Sequence, residues 1–169
     1  MILPIVKYGN PILNRVANPV VSFDEELAEL SKSMVETMYD ASGVGLAAPQ
    51  VGVLTRLMVV DSTGGEKNDS LIVLVNPKII TIEGDQFEEE GCLSIPSFSE
   101  RVHRPKKVVV SARGIDNEEL VIEGEDLLSR ILIHEIDHLN GVLFIDHLSV
   151  IKRDIIKRKI RKKVRNGEW

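Results

Sequence analysis

Residues Leu127 to Gly141 constrain this chain more than any other stretch. Leu127, Leu128, Ile131, Leu132, Ile133, Ile136 and Leu139 cover almost every side of a helix, and a helix that is apolar all round is normally buried. That helix carries His134-Glu135-Ile136-Asp137-His138. Two histidines four residues apart lie on nearly one face, so both imidazoles can reach one metal ion. Glu135 follows the first by one position, about 100° further round, beside such an ion rather than on it. A proton carrier for an activated water belongs there. This is the H-E-x-x-H pattern, two ligands plus one general base. The bland alternative is a helix that happens to hold two histidines and an acid. It leaves polar groups buried without partners, which is costly; a metal supplies one.

The chain has 169 residues, enough for one domain with a substantial core. Hydrophobic residues make up 43% and charged residues 28%, a globular mixture that excludes a disordered chain. No apolar run reaches the length of a membrane span, and Met1 to Lys7 lacks the basic segment and cleavage site of a signal peptide. A single cysteine cannot form an internal disulfide and fits a reducing compartment. The net charge of −5 hides an asymmetry: residues 152–165 hold nine Lys/Arg and one acid, net +8, against −13 for the rest.

In chain order, residues 1–21 read as an extended or irregular arm, broken by Pro4, Pro11 and Pro19. Ser22 to Glu25 reads as a capping box with Ser22 as the cap, and Leu27, Leu30, Met34, Val35 and Met38 predict a first helix from about Asp24 to Asp40. From the residues alone, Gly43 and Gly45 read as a tight turn after that helix. Strands are predicted at 56–61, 71–75, 78–83 and 86–94, with a hairpin of 106–114 and 119–123 around Asp116-Asn117. In an extended 86–94, Glu88, Glu90 and Cys92 share a face. After the central helix, Gly141 is the expected C-terminal cap. From Ile151 onward, Ile155, Ile156, Ile160 and Val164 form a stripe at helical spacing. This order argues an α+β fold: antiparallel β-sheets packed around the central buried helix, with an N-terminal and a C-terminal helix. We expect one catalytic domain over residues 1–169, with 152–165 as a basic C-terminal helix.

A catalytic site of this type needs a third protein ligand and an open position. The extended pattern H-x-x-G-x-x-H fails, because Gly141 matches but Phe144 stands where a histidine would, and His147 comes three residues later. The only glutamate after His138 is Glu168, beside the terminal Trp169. Upstream, Cys92 could complete a Cys-His-His site. A lone cysteine is otherwise a small buried hydrophobe, but beside Glu90 and without a rival ligand it reads as the metal's third donor.

Gly43-Val44-Gly45-Leu46-Ala47-Ala48-Pro49-Gln50, Glu90-Gly91-Cys92-Leu93-Ser94 and His134-Glu135-Ile136-Asp137-His138 together resemble the three motifs of peptide deformylases, in order and at suitable separations. The resemblance implies a hydrolase that removes the N-terminal formyl group from formylmethionine of new polypeptides. It implies that Cys92, His134 and His138 hold the metal, that Glu135 carries the proton, and that the Gln50 amide and Leu93 backbone N–H stabilise the oxyanion. It further implies that Gly43, Val44 and Gly45 receive the substrate backbone, that Val44 and Ile131 shape the methionine pocket, and that Glu90, with Arg104, orients the metal site. The cofactor implied is one divalent ion, Fe2+ in the cell, with Zn2+, Ni2+ or Co2+ possible in preparations. The partners implied are formylated nascent peptides in the cytoplasm, no membrane, and the ribosome through the basic helix. Two rival readings stand beside it: a general metallopeptidase on the same helix motif, and a catalytically silent, metal-stabilised protein of the translation apparatus.

Overall fold

The computed structural model describes residues 1–169 and has the α+β architecture expected. Helix α1, Glu25–Asp40, leads into the short strand β1, Gly45–Ala47, and the 3-10 turn Ala48–Val51. Strands β2, Leu57–Val60, β3, Ile72–Glu83, β4, Gln86–Cys92, β5, Ile95–Arg104, β6, Lys107–Arg113, and β7, Glu119–Glu125, follow. Helix α2 is Leu127–Leu139 and helix α3 is Val150–Arg165. Five strands form one antiparallel sheet in the order β1-β2-β3-β6-β7, and β4 pairs with β5.

The four residues of β2 explain the layering. All are buried, and their side chains alternate between faces. Met58 and Val60 join the cluster around Leu132, Ile136 and Leu139 of α2, while Leu57 and Val59 join Leu27, Met34 and Met38 of α1. The sheet is therefore sandwiched between the helix that carries the histidines and the first helix.

The β4–β5 hairpin is an extension of the β3–β6 pair. The register Glu83↔Lys107 resumes unbroken as Gln86↔Arg104. The ladder is interrupted because Pro105 has no N–H and Gly84 turns at φ +71°. This ribbon carries Glu90 and Cys92 over to α2. The N-terminal arm closes the other side: Val6 N–H donates to the Gln50 carbonyl at 2.7 Å and Tyr8 N–H to the Ser94 carbonyl at 2.8 Å. The arm is irregular apart from a 3-10 turn at Pro11–Asn14, as its prolines imply.

Three expectations need correction. The cap of α1 is Asp24, whose carboxylate accepts from Leu27 N–H at 3.0 Å, not Ser22; aspartate two residues later serves the same orphan donor. The strands expected at 71–75 and 78–83 are one strand, β3, kinked by a register shift beside Asn76 at φ +51°. The α3 stripe is narrower than its spacing suggested. Ile156 and Ile160 are buried against the hairpin and Phe144, whereas Ile155 and Val164 are exposed. Burying those two isoleucines contributes roughly 1.5–3 kcal/mol each, enough to dock the helix. Gly141 ends α2 at φ +74°, as expected of a C-terminal glycine.

Candidate metal centre and active site

The ribbon and α2 bring together donors that are far apart in sequence. Cys92 ends β4, and its Sγ lies 3.3 Å from His138 Nε2, which lies 3.2 Å from His134 Nε2. The three donor atoms all fall within 4.8 Å of one another. The chemistry of this donor set fits a metal ion. A thiol and two imidazoles converge on a point, and Cys-His-His is a known ligand class for divalent transition metals.

Glu90 fixes the first histidine. Its Oε2 is 2.6 Å from His134 Nδ1, which leaves His134 Nε2 facing the cluster. Glu90 is itself held by Arg104, which donates Nε to Oε1 at 3.0 Å and Nη2 to Oε2 at 2.6 Å. Arg130 adds Nη1 to Oε1 at 2.8 Å. Burial would raise the Glu90 carboxyl, but hydrogen bonds from His134 and Arg104 override it and hold the group well below the usual carboxylate range. Burial would likewise lower His134, yet its acceptors Cys92 and Glu90 push it up; burial and the neighbouring His134 push His138 down.

Glu135 stands beside the donors. Its Oε1 is 3.9 Å from His134 Nε2, and its Oε2 is buried with no protein partner. Burial pushes this carboxyl up to about 7, with His134 opposing and Glu90 adding. A carboxylate poised near neutrality can both take and return a proton.

The two glycines do more than turn the chain. A methyl group on Gly45 would lie 2.7 Å from Glu135 Oε1 and 2.9 Å from Ile131 Cγ2, and one on Gly43 would lie 2.8 Å from Leu93 Cδ1. At Gly45 a side chain would force Glu135 or Ile131 of helix α2 to shift, whereas at Gly43 the close neighbour is the flexible tip of Leu93. This segment forms one wall of a cleft of about 620 Å³ whose lining also includes Val44, Ile131, Leu93 and Glu135.

Gln50 is buried beneath the cleft. Its Oε1 accepts from Ala47 N–H at 2.9 Å, which obliges the amide NH₂ to face the other way. That NH₂ donates to Ser94 Oγ at 3.2 Å and lies 3.6 Å from Cys92 Sγ. The Leu93 N–H, in the turn between β4 and β5, meets no protein acceptor. Of the residues the resemblance assigns to the site, Gly43, Val44, Gly45, Gln50, Glu90, Cys92, Leu93, Ile131, His134 and Glu135 line this one cleft, and His138 adjoins it through Cys92 and His134. Of the three residues expected to share a strand face, Glu90 is buried and Cys92 half-buried, but Glu88 is exposed.

Two residues escaped the sequence reading. Arg130 is buried in α2, and Asp137 accepts from Arg104 Nη1 at 2.7 Å and contacts His147 Nε2 at 2.8 Å. The available signal was charge in a helix too apolar to be exposed: such groups require buried partners.

Comparison with known proteins points to one family. The family pattern for polypeptide deformylase matches residues 2–154. A peptide deformylase of Acidobacterium capsulatum is 54% identical over 169 residues, covering 100% of this chain and 99% of the relative. One of Thermodesulfovibrio yellowstonii is 48% identical, covering 96% and 98%. The crystal structure of a peptide deformylase from Legionella pneumophila superposes with a TM-score of 0.92 at 46% identity, covering 99% of this chain and 98% of that one.

Proposed function

The chain belongs to the peptide deformylase family, and on that premise we propose how its residues divide the reaction. The protein is a hydrolase that removes the N-terminal formyl group of formylmethionine from new polypeptides. Water adds to the formyl carbon, the C–N bond breaks, formate leaves, and the freed amine takes a proton. We read residues 1–169 as one catalytic unit for this purpose.

Cys92, His134 and His138 are the residues that would hold one divalent ion. Such an ion supplies a Lewis acid that acidifies water and polarises a carbonyl oxygen. Ferrous iron is our assignment in the cell, with zinc, nickel or cobalt entering the same donor set in preparations. Glu135 takes the proton of the attacking water and delivers it to the leaving nitrogen, a contribution of roughly 10²–10⁴-fold. The Gln50 amide and the Leu93 N–H donate to the developing oxyanion, each worth about 10²–10³ in rate. Glu90 keeps His134 in the ligating tautomer. The segment Gly43-Val44-Gly45 pairs with the substrate backbone as an added strand, which tolerates many sequences. Val44 and Ile131 receive the methionine side chain.

One observation carries the reading: a buried carboxylate oxygen of Glu135 without a protein partner, beside three converging metal donors. A purely structural metal would not need that carboxylate. Anaerobic purification, metal analysis and a formate-release assay on formyl-Met peptides test it. Formate should appear, and unformylated peptides should stay intact; cleavage of their peptide bonds would instead favour a general metallopeptidase.

No helix is long and apolar enough to cross a membrane. We place the protein in the cytoplasm, where its substrates emerge. We also assign ribosome docking to α3, whose Lys/Arg residues surround the two anchoring isoleucines and give 152–165 a net charge of +8.

A further inference from the structure

We propose that Arg130 is a positioning residue, a guanidinium clamp from α2 that holds the β4–β5 hairpin, and with it Cys92, in register with the two histidines. The inference rests on the metal centre proposed above. That centre is split between two elements: the thiol rides on the end of a two-stranded ribbon, and both imidazoles ride on the helix. The ribbon extends the β3–β6 pair beyond the break at Gly84 and Pro105, so the main sheet's ladder does not set its distance from α2; side chains that reach across do.

Arg130 lies one helical turn before His134 and is 4% exposed. Each of its three nitrogens donates to the hairpin. Nη1 donates to Glu90 Oε1 at 2.8 Å and Nε to Gln86 Oε1 at 3.2 Å, both on β4. Nη2 donates to the Val102 carbonyl at 2.9 Å, on β5. A single side chain from the helix thus grips both strands of the ribbon. Arg104 makes the reciprocal reach, from β5 to Glu90 and to Asp137 of α2. Two guanidinium groups therefore meet two carboxylates in one buried, charge-balanced set. The planar fork matters here, since a lysine ammonium cannot satisfy three acceptors set apart on two strands.

Arg130 also shares the cleft-facing side of α2 with Leu127, Ile131 and His134. Its head is turned into the hairpin, where its nitrogens meet Glu90, Gln86 and Val102. Movement of this clamp would move the Cys92 loop relative to His134 and His138.

The test loads the metal-free protein with Co²⁺, reads the thiolate-to-cobalt absorption band, and times cobalt release to a chelator. Arg130→Lys keeps the charge and loses the fork; Arg130→Met loses both. Both should release cobalt about tenfold faster than the unaltered protein, in the range seen when partners of metal ligands are lost, with a shifted band. Gln86→Ala removes one acceptor of the clamp. It should move release the same way by a smaller factor, and it serves where the helix variants do not fold. Release from Arg130→Lys at the unaltered rate overturns the proposal. So does a lower melting temperature of the metal-free variants with unchanged release, which would make Arg130 a residue of the fold alone. Absence of the thiolate band in the unaltered protein would overturn the metal centre, and the clamp's purpose with it.

Discussion

Cys92 Sγ lies 3.3 Å from His138 Nε2, across 46 positions of sequence. Neither residue is on the same element, and neither would meet the other without the ribbon that β4 and β5 extend from the main sheet. From this contact follows the first prediction. Cys92→Ser should lose most metal affinity, because a soft anionic donor becomes a weak neutral one. Metal content after dialysis against a chelator is the check, and full retention would make Cys92 a core residue only.

Glu135→Gln should keep its metal and lose most turnover, by roughly 10²–10⁴-fold. The amide occupies the same space but cannot carry the proton. Metal analysis beside formate-release kinetics separates the two effects. Loss of metal would instead make Glu135 a ligand.

Gly45→Ala tests the close approach of β1 to α2. The new methyl would meet Glu135 Oε1 at 2.7 Å and Ile131 Cγ2 at 2.9 Å, so Glu135 must shift. A misplacement of this kind costs about 10²-fold in kcat/KM, with metal content unchanged. An alanine variant of normal activity would show that the carboxylate tolerates displacement.

The pair Tyr39–Asp61 sets a pH dependence away from the metal. Tyr39 Oη donates to Asp61 Oδ2 at 2.6 Å. Burial, then this hydrogen bond and the carboxylate charge, push the phenol from 10.0 up to about 12. In that window the unfolded chain holds fewer protons than the folded one, so stability should fall as pH rises from 10.0 towards 12. Asp61 works in the opposite direction. Burial raises it, but bonds from Tyr39, Thr63 and Gly65 lower it overall. Its contribution is therefore full above the ordinary aspartate range and is lost as pH falls through its depressed value. Urea unfolding across pH should show a steeper alkaline decline for the unaltered protein than for Tyr39→Phe; identical slopes would refute the coupling.

Truncation after about Ser149 tests the basic helix. Removing α3 should weaken ribosome co-sedimentation far more than turnover of short formyl-peptides, and binding by the intact protein should fall steeply with salt as counterions are released. Because α3 covers the cluster around Leu13, Ile95 and Phe144, a charge-reversal variant of its exposed lysines should accompany the truncation. Salt-insensitive, unchanged sedimentation of both would remove α3 from docking and leave catalysis as assigned.

What the sequence determined by itself were the features written in local spacing. The i, i+4 histidines and the apolar cover of 127–139 placed a buried helix with two converging imidazoles, because helical geometry is fixed at 3.6 residues per turn. The glycine at the end of α2 was legible as a local cap signal, whereas the face expected for Glu88, Glu90 and Cys92 is withdrawn from solvent only at the last two. The family's three motifs supplied the identity of the remaining participants. What only the tertiary structure decided was everything that depends on contacts between distant segments. The sequence spacing could not distinguish Ile156 from Ile155, since which side of α3 is buried depends on where Phe144 and the hairpin lie. Nor could it show that Gly45 is glycine because Glu135 presses on it. Arg130, a surface cation by type, is buried because Glu90 and Gln86 of β4 and Val102 of β5 arrive to give each of its three nitrogens an acceptor. Local periodicity is set by backbone geometry within a few residues, whereas the partner of a buried charge is set by packing across the whole chain.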